Sequence, residues 1–207
     1  MNLDREAGNF LPPGMLEGPG WDPLASRGLN YSWAEDLVAD QVYSSGLMAN
    51  GYKFAVAFAL IEAAVAQGDK ILVFSQSLFT LDLLEDFLKR AGPTQIGLRQ
   101  NYWEKGRTYF RLDGSTNALE RQKLIGRFEE ESEPCLFLIS TRAGCLGINL
   151  TAANRAIVLD ASWNPTHDTQ AICRIFRYGQ AKPTYVYRLV TDNSMERGIF
   201  NRQLGKM

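Results

Sequence analysis

The chain has 207 residues, 45% hydrophobic and 22% charged, with a net charge of −1. That is close to the balance of soluble globular proteins, leaves ample apolar material for a core and, in its near-neutral total, argues for no particular partner. The opening MNLDREAGNFLPPG lacks a basic start followed by an apolar run, so no secretory signal is visible. The longest nearly apolar run, 54–66, is broken by Glu62 and is too short for a membrane span.

In chain order, residues 1–30 hold five glycines and four prolines, a composition that propagates neither a helix nor a central strand. A flexible lead-in is expected over 1–32 and a single domain over 33–207. WAEDLVADQ starts a short helix, and YKFAVAFALIEAAVAQ (52–67) is a strong helix ended by Gly68. Strands then alternate with helices. KILVFS (70–75) precedes helical LFTLDLLEDFLKR (78–90), and RTYFRL (107–112) precedes a helix over 117–131 that opens with a capping box, Asn117 and Glu120. CLFLIS (135–140) leads into a short glycine-containing helix to about Leu150. RAIVLD (155–160) is followed by a helix over 166–177, and TYVYRLV (184–190) by a final helix from Ser194. Short apolar strands spaced by amphipathic helices predict an α/β domain, a mostly parallel sheet with helices on both faces.

The three cysteines, Cys135, Cys145 and Cys173, show no metal-ligand spacing. Their odd number suggests reduced, partly buried thiols of a cytosolic or nuclear protein, and no metal site is expected. From residue 170 onward there are seven basic and two acidic residues, so that end carries +5 in a chain whose total is −1. A basic end can follow a phosphate chain, although a solvated helix face is the commoner reason for such a run.

In an open parallel sheet, ligands bind outside the carboxyl ends of the strands. The segments that follow the strands are SQS (75–77), DGST (113–116), TRAGCLGIN (141–149) and ASWNP (161–165). Small, hydroxyl and glycine residues there allow close backbone approach and offer donors to phosphate oxygens. Each alone reads as a turn, a cap or tight packing; together on one edge they suggest a phosphate-rich ligand. No G-x-x-x-x-G-K-[ST] occurs, and IVLD ending at Asp160 only imitates a strand that closes on a magnesium-binding acid. The chain thus lacks the usual equipment to hold a nucleotide and its metal; if it meets ATP, it does so as a second half. QAICRIFRYGQ (170–180) places Arg174 and Arg177 three apart, which on one helix would aim both guanidinium groups the same way.

Taken in order, ILVFSQ, YFRLDGST, LISTRAGCLGINL, AANRAIVLDASWNP and QAICRIFRYGQAKP resemble the successive motifs of the C-terminal motor lobe of Swi/Snf-type remodelling ATPases, in helicase superfamily 2. GDKILVFSQSLFTLDLLEDFL and LDASWNP look closest to the ATRX-like and androgen-receptor-interacting helicase-like subgroup. The resemblance implies a RecA-like fold and a DNA-dependent ATPase whose ATP and Mg2+ are held mainly by a first lobe not present in this chain. It implies that Arg174 and Arg177 close on the γ-phosphate, with Arg177 most like the arginine finger. It implies that Gln170 and Gly147 face the nucleotide. It places Gly114, Ser115, Thr116, Ser140 and Thr141 where the family grips one DNA strand, and Trp163 where a tryptophan lies against the DNA. The implied partners are double-stranded DNA or chromatin and the first RecA-like lobe of the same parent protein, with no membrane partner, in the nucleus. Phe176 stands where many members have His, and Arg142 where Lys is common. A noncatalytic nucleic-acid or protein-binding module is the alternative, and the chain by itself is expected to be inactive.

Overall fold

The fold is described from a computed structural model, over residues 48–90, 103–144 and 147–205. The chain divides into two compact units, 1–51 and 52–207. Of the first, the described part is a turn of 3-10 helix, Met48–Asn50, closed by the Gly51 N–H on the Met48 carbonyl at 3.0 Å. The expected lead-in over 1–32 and the helix at WAEDLVADQ lie outside the described residues.

Among the described residues the second unit is built on five strands: β1 (Ile71–Ser75), β2 (Tyr109–Leu112), β3 (Leu136–Ser140), β4 (Arg155–Val158) and β5 (Tyr185–Arg188). They form one sheet in the order β2-β3-β1-β4-β5, and every pairing is parallel. β1 and β3 are buried at every residue, as apolar runs must be when both faces are covered, whereas edge strand β5 is half exposed. The connecting helices are α1 (Tyr52–Ala66), α2 (Leu78–Arg90), α3 (Ala118–Glu130), α4 (Thr141–Gly144), α5 (Pro165–Ile172) and α6 (Met195–Leu204).

Because side chains alternate along a strand, each face of the sheet receives every second residue. Leu72, Phe74, Phe110, Leu112, Phe137, Ile139 and Ala156 form one core with Phe128 of α3 and Ala171 of α5. Phe110, Phe128 and Phe137 meet with ring centroids 5.0–5.9 Å apart, within the range of favourable tilted and edge contacts. Elsewhere Phe87 of α2 takes the edges of Phe54 and Phe58 of α1.

The expected cap of α3 is present: the Asn117 side chain accepts the Glu120 N–H at 2.9 Å. Asn117→Ala should cost about 1 kcal/mol, seen as a melting point roughly 2–4 °C lower. An unchanged melt would mean that water satisfies that amide equally well.

Two expected helices end early. The helix expected over 166–177 stops at Ile172, where the N–H groups of Arg174 and Ile175 turn to carbonyls three residues back. In a continuing helix the Gln170 carbonyl would take the Arg174 N–H; here it takes the Arg174 Nε at 3.0 Å, and the Arg174 carbonyl accepts the Leu150 N–H at 3.3 Å from the preceding loop. The helix expected to reach about Leu150 is described over Thr141–Gly144 and does not extend into 147–150. Gly147 takes φ +74°, a left-handed conformation that L side chains resist, and 147–150 has no regular structure.

Candidate functional site

With all strands parallel, their carboxyl ends share one rim. Ser75 lies opposite Ser140, Phe74 opposite Val158, and Leu112 opposite Ile139. The chain leaves β1 toward β2 and leaves β4 toward β5, so the ligand crevice of such a sheet falls between β1 and β4. Here that crevice is closed from within. Asp160 accepts the Ser75 hydroxyl at 2.6 Å and the Gln76 N–H at 2.9 Å. Burial pushes the Asp160 carboxyl above the usual range, against the pull of the Ser75 and Gln76 hydrogen bonds. The Gln76 amide, which could face a phosphate at this strand end, already holds a carboxylate. Asp160, which imitates a metal acid in the sequence, serves instead as an internal clasp. No cluster of three or more His, Cys, Asp or Glu able to hold a metal occurs among the described residues.

The loop after β2 is held by a charged network on Arg111. Its Nε donates to Asp113 at 2.9 Å, and its Nη1 reaches Asp82 and Glu85, each at 2.5 Å. Lys105 approaches Glu85 at 2.9 Å. Asp113 Oδ1 accepts both the N–H and the hydroxyl of Ser115, at 3.0 and 2.6 Å, while Thr116 donates its N–H to the Asp113 carbonyl at 3.2 Å. Gly114 and Ser115 are exposed and Thr116 is half-buried. Ser115 therefore turns its hydroxyl proton inward to Asp113.

Burial alone would raise the Asp113 carboxyl, but the Ser115 and Arg111 hydrogen bonds hold it below the usual range. Glu85 is lowered by Lys105 and Arg111 against burial, and Glu196 by Lys53 and the Thr191 N–H against burial. A carboxyl depressed by folding contributes stability above its unfolded pKa and loses it as pH falls through the folded value. The melting point should thus hold from pH 7 to about pH 5 and fall increasingly below about pH 4, the ordinary carboxylate range. In Asp113→Asn the melting point at pH 7 should be lower and its acid fall shallower. An acid fall equally steep in that variant would remove Asp113 from the network.

Ser140 and Thr141 are buried, and Ser140 Oγ accepts the Ala143 N–H at 3.3 Å as the cap of α4. They lie beneath the rim. Trp163 is 60% exposed on the loop after β4, next to Asn164, which caps α5 through the Thr166 N–H at 3.1 Å.

The two arginines part company. Arg174 is 6% exposed, with Nε on the Gln170 carbonyl at 3.0 Å and Nη1 on the Ile148 carbonyl at 3.1 Å. Arg177 is exposed, with Nε on the Cys173 carbonyl at 3.0 Å. The expectation that both forks share one helical face fails because α5 ends before either residue. Gln170 is half-buried and supplies Arg174 with its carbonyl. Gly147 is exposed, and a Cβ there would meet open space, so its backbone handedness is what calls for glycine.

Three contributors escaped the sequence reading. Gln180 donates to the carbonyls of Thr151, Ala153 and Ile175 at 3.0, 2.8 and 3.2 Å, stapling the end of the arginine segment to the loop before β4. Lys53 of α1 reaches the Leu159 carbonyl at 2.7 Å and Glu196 at 2.5 Å. Arg111 was visible only as a charge inside an apolar strand. Cys135 is buried, which pushes its thiol up to about 12; Cys173 is exposed and Cys145 lies outside the described residues.

Residues 52–179, which carry this rim and both arginines, match the family described as the helicase conserved C-terminal domain. The chain belongs to that family. The lobe is 52% identical to Helicase ARIP4 of Homo sapiens over 200 residues, 92% of this chain and 14% of that protein. It is 45% identical to Transcriptional regulator ATRX of Mus musculus over 184 residues, 84% of this chain and 7% of that one. To Protein CHROMATIN REMODELING 20 of Arabidopsis thaliana it is 44% identical over 180 residues, 86% of this chain and 12% of that one. The lobe thus spans a small fraction of the length of these relatives. A solved structure titled the C-terminal part of Fun30 ATPase domain superposes with a TM-score of 0.65 at 32% identity, covering 82% of this chain and 50% of that one. The RecA-like architecture and the subgroup expected from the motifs are those of this helicase lobe.

Proposed function

We propose that this lobe is the second half of an ATP-dependent DNA translocase of the chromatin-remodelling kind. In this reading it lends Arg177 to a nucleotide held by a first lobe of the same parent protein and grips duplex DNA along its rim. One observation carries the proposal: the lobe's own crevice is closed by Asp160, while a braced, exposed arginine stands at the end of the family motif. Bound with Mg2+ by the first lobe, ATP supplies the phosphoryl group and the charge that develops as it transfers.

Arg177 meets that charge with a planar, permanently ionised fork. An arginine supplied across a domain boundary raises turnover by about 10³ to 10⁵, or roughly 4 to 7 kcal/mol of barrier. Arg174 acts one step back, tying the 147–150 loop to the segment that carries Arg177, and so serves as a positioning residue. Gln170 holds Arg174, and Gly147 presents backbone toward the closing lobe. On the DNA side, Gly114, Ser115, Thr116 and Trp163 form the contact, with Ser140 and Thr141 supporting it from below. Contacts to backbone phosphates give weak sequence preference and steep salt dependence. Hydrolysis that requires lobe closure then shifts the two DNA grips relative to each other, which is stepping along the duplex. The name of one relative, Protein CHROMATIN REMODELING 20, supports a chromatin substrate and with it a nuclear site of action.

The test is a protein in which this chain follows a first lobe bearing G-x-x-x-x-G-K-[ST]. It should hydrolyse ATP with duplex DNA and barely without it, while the isolated chain binds DNA but does not hydrolyse. Hydrolysis indifferent to DNA would remove the translocase reading. DNA binding without hydrolysis in the two-lobe protein would leave a noncatalytic binding module.

A further inference from the structure

The last helix, α6, lies beyond the stretch that matches the family, yet it is latched to the loop that presents Trp163. Gln203 is 1% exposed; its Nε2 donates to the Ser162 carbonyl and, at 2.8 Å, to Asp168 Oδ2. The same carboxylate oxygen accepts the Ser162 N–H at 3.3 Å. Ser162 is therefore held on both sides, by α6 and by α5, immediately before Trp163. The neighbour of Gln203, Arg202, is exposed and sets its guanidinium 5.8 Å from the centroid of the exposed Trp163 ring. Among the described residues Arg202 makes no ion pair.

We propose that Trp163 and Arg202 form a single two-part contact on a DNA strand, Arg202 taking a phosphate and Trp163 lying against the adjacent sugar, with Gln203 as the residue that sets their spacing. The inference rests on the reading that this rim binds duplex DNA. A guanidinium over an indole face is attracted by the ring and keeps its N–H edges directed outward, where a phosphate accepts them in pairs. The ring offers a flat apolar surface beside it. Along the rim, β2 and β4 are three strand spacings apart, about 14 Å at about 4.8 Å per strand, and that separates the loop bearing Gly114–Thr116 from the loop bearing Trp163.

The experiment measures affinity of the full chain for a short labelled duplex of mixed sequence between about 50 and about 200 mM salt. Arg202→Ala should weaken binding about fivefold to tenfold and lower the slope of log K against log salt by about 0.9, the signature of one lost phosphate contact. Arg202→Lys should restore the slope but only part of the affinity, since it keeps the charge and loses the fork. Trp163→Ala should weaken binding with the slope unchanged, and the double variant should lose less than the two single losses combined. Gln203→Leu should lower the slope by the same amount with Arg202 still in place. A circular dichroism spectrum like that of the unaltered chain shows that each variant is folded. If Arg202→Ala keeps the original affinity and slope, the inference is overturned and the DNA reading stands. If the unaltered chain fails to bind the duplex at all, the DNA reading falls and takes the inference with it.

Discussion

Arg177→Ala, in a protein that carries both lobes, is expected to lower DNA-stimulated ATP hydrolysis by about 10³ to 10⁵ while leaving DNA affinity and melting point unchanged. The size follows from what the side chain would do, which is to neutralise charge that appears only as the phosphoryl group transfers. An interaction made only then lowers kcat and kcat/KM together and leaves KM nearly alone. The stability half follows from placement. Arg177 is exposed and its Nε bonds a carbonyl in its own turn, so truncation should move stability by no more than about 0.5 kcal/mol. Arg177→Lys should recover only a small part of the rate, because an ammonium carries the charge without the planar pair of donors. A rate within tenfold of the unaltered protein would end the finger assignment.

The second expectation has the opposite signature. Arg174→Ala should destabilise the lobe by about 3 kcal/mol, since it removes two charge-assisted hydrogen bonds and strands the buried Ile148 carbonyl and the half-buried Gln170 carbonyl. For a domain of this size that is a melting point lower by roughly 6–12 °C. Denaturant titration should give the same loss with an unchanged slope. Well below the melt, hydrolysis by a two-lobe Arg174→Ala protein should exceed that of Arg177→Ala, because the reacting group is still present and only its support has loosened. An unshifted melt together with an equally deep loss of hydrolysis would instead put Arg174 on the nucleotide.

Much of the architecture is written locally. KILVFS, CLFLIS and RAIVLD are too short and too apolar to be anything but buried strands in a chain of alternating helices, and the Asn117–Glu120 cap is read from two letters. What the letters did not disclose are bonds made at a distance. Periodicity runs smoothly through 166–177, and nothing in it reveals that Leu150 will claim the Arg174 carbonyl. After Ile172 the backbone N–H groups of Arg174 and Ile175 turn to carbonyls three residues back, the helix ends, and the even spacing of the two arginines ceases to mean a common face. Ser140 and Thr141 look like donors at a strand end, but a helix capped by Ser140 begins at once and draws both below the surface. Arg111 sits at an inconspicuous strand position, although it organises the loop that follows.

The clasp formed by Asp160, Ser75 and Gln76 has a consequence for anyone who would rebuild this lobe. A lysine-bearing glycine loop inserted after β1 would set its phosphate beside a resident carboxylate that already holds the Ser75 hydroxyl and the Gln76 amide. Neutralising residue 160 would have to come first. On the proposed reading, a proteolytic fragment carrying only this lobe would lie on its track without burning fuel, an inert obstacle to the intact motors behind it.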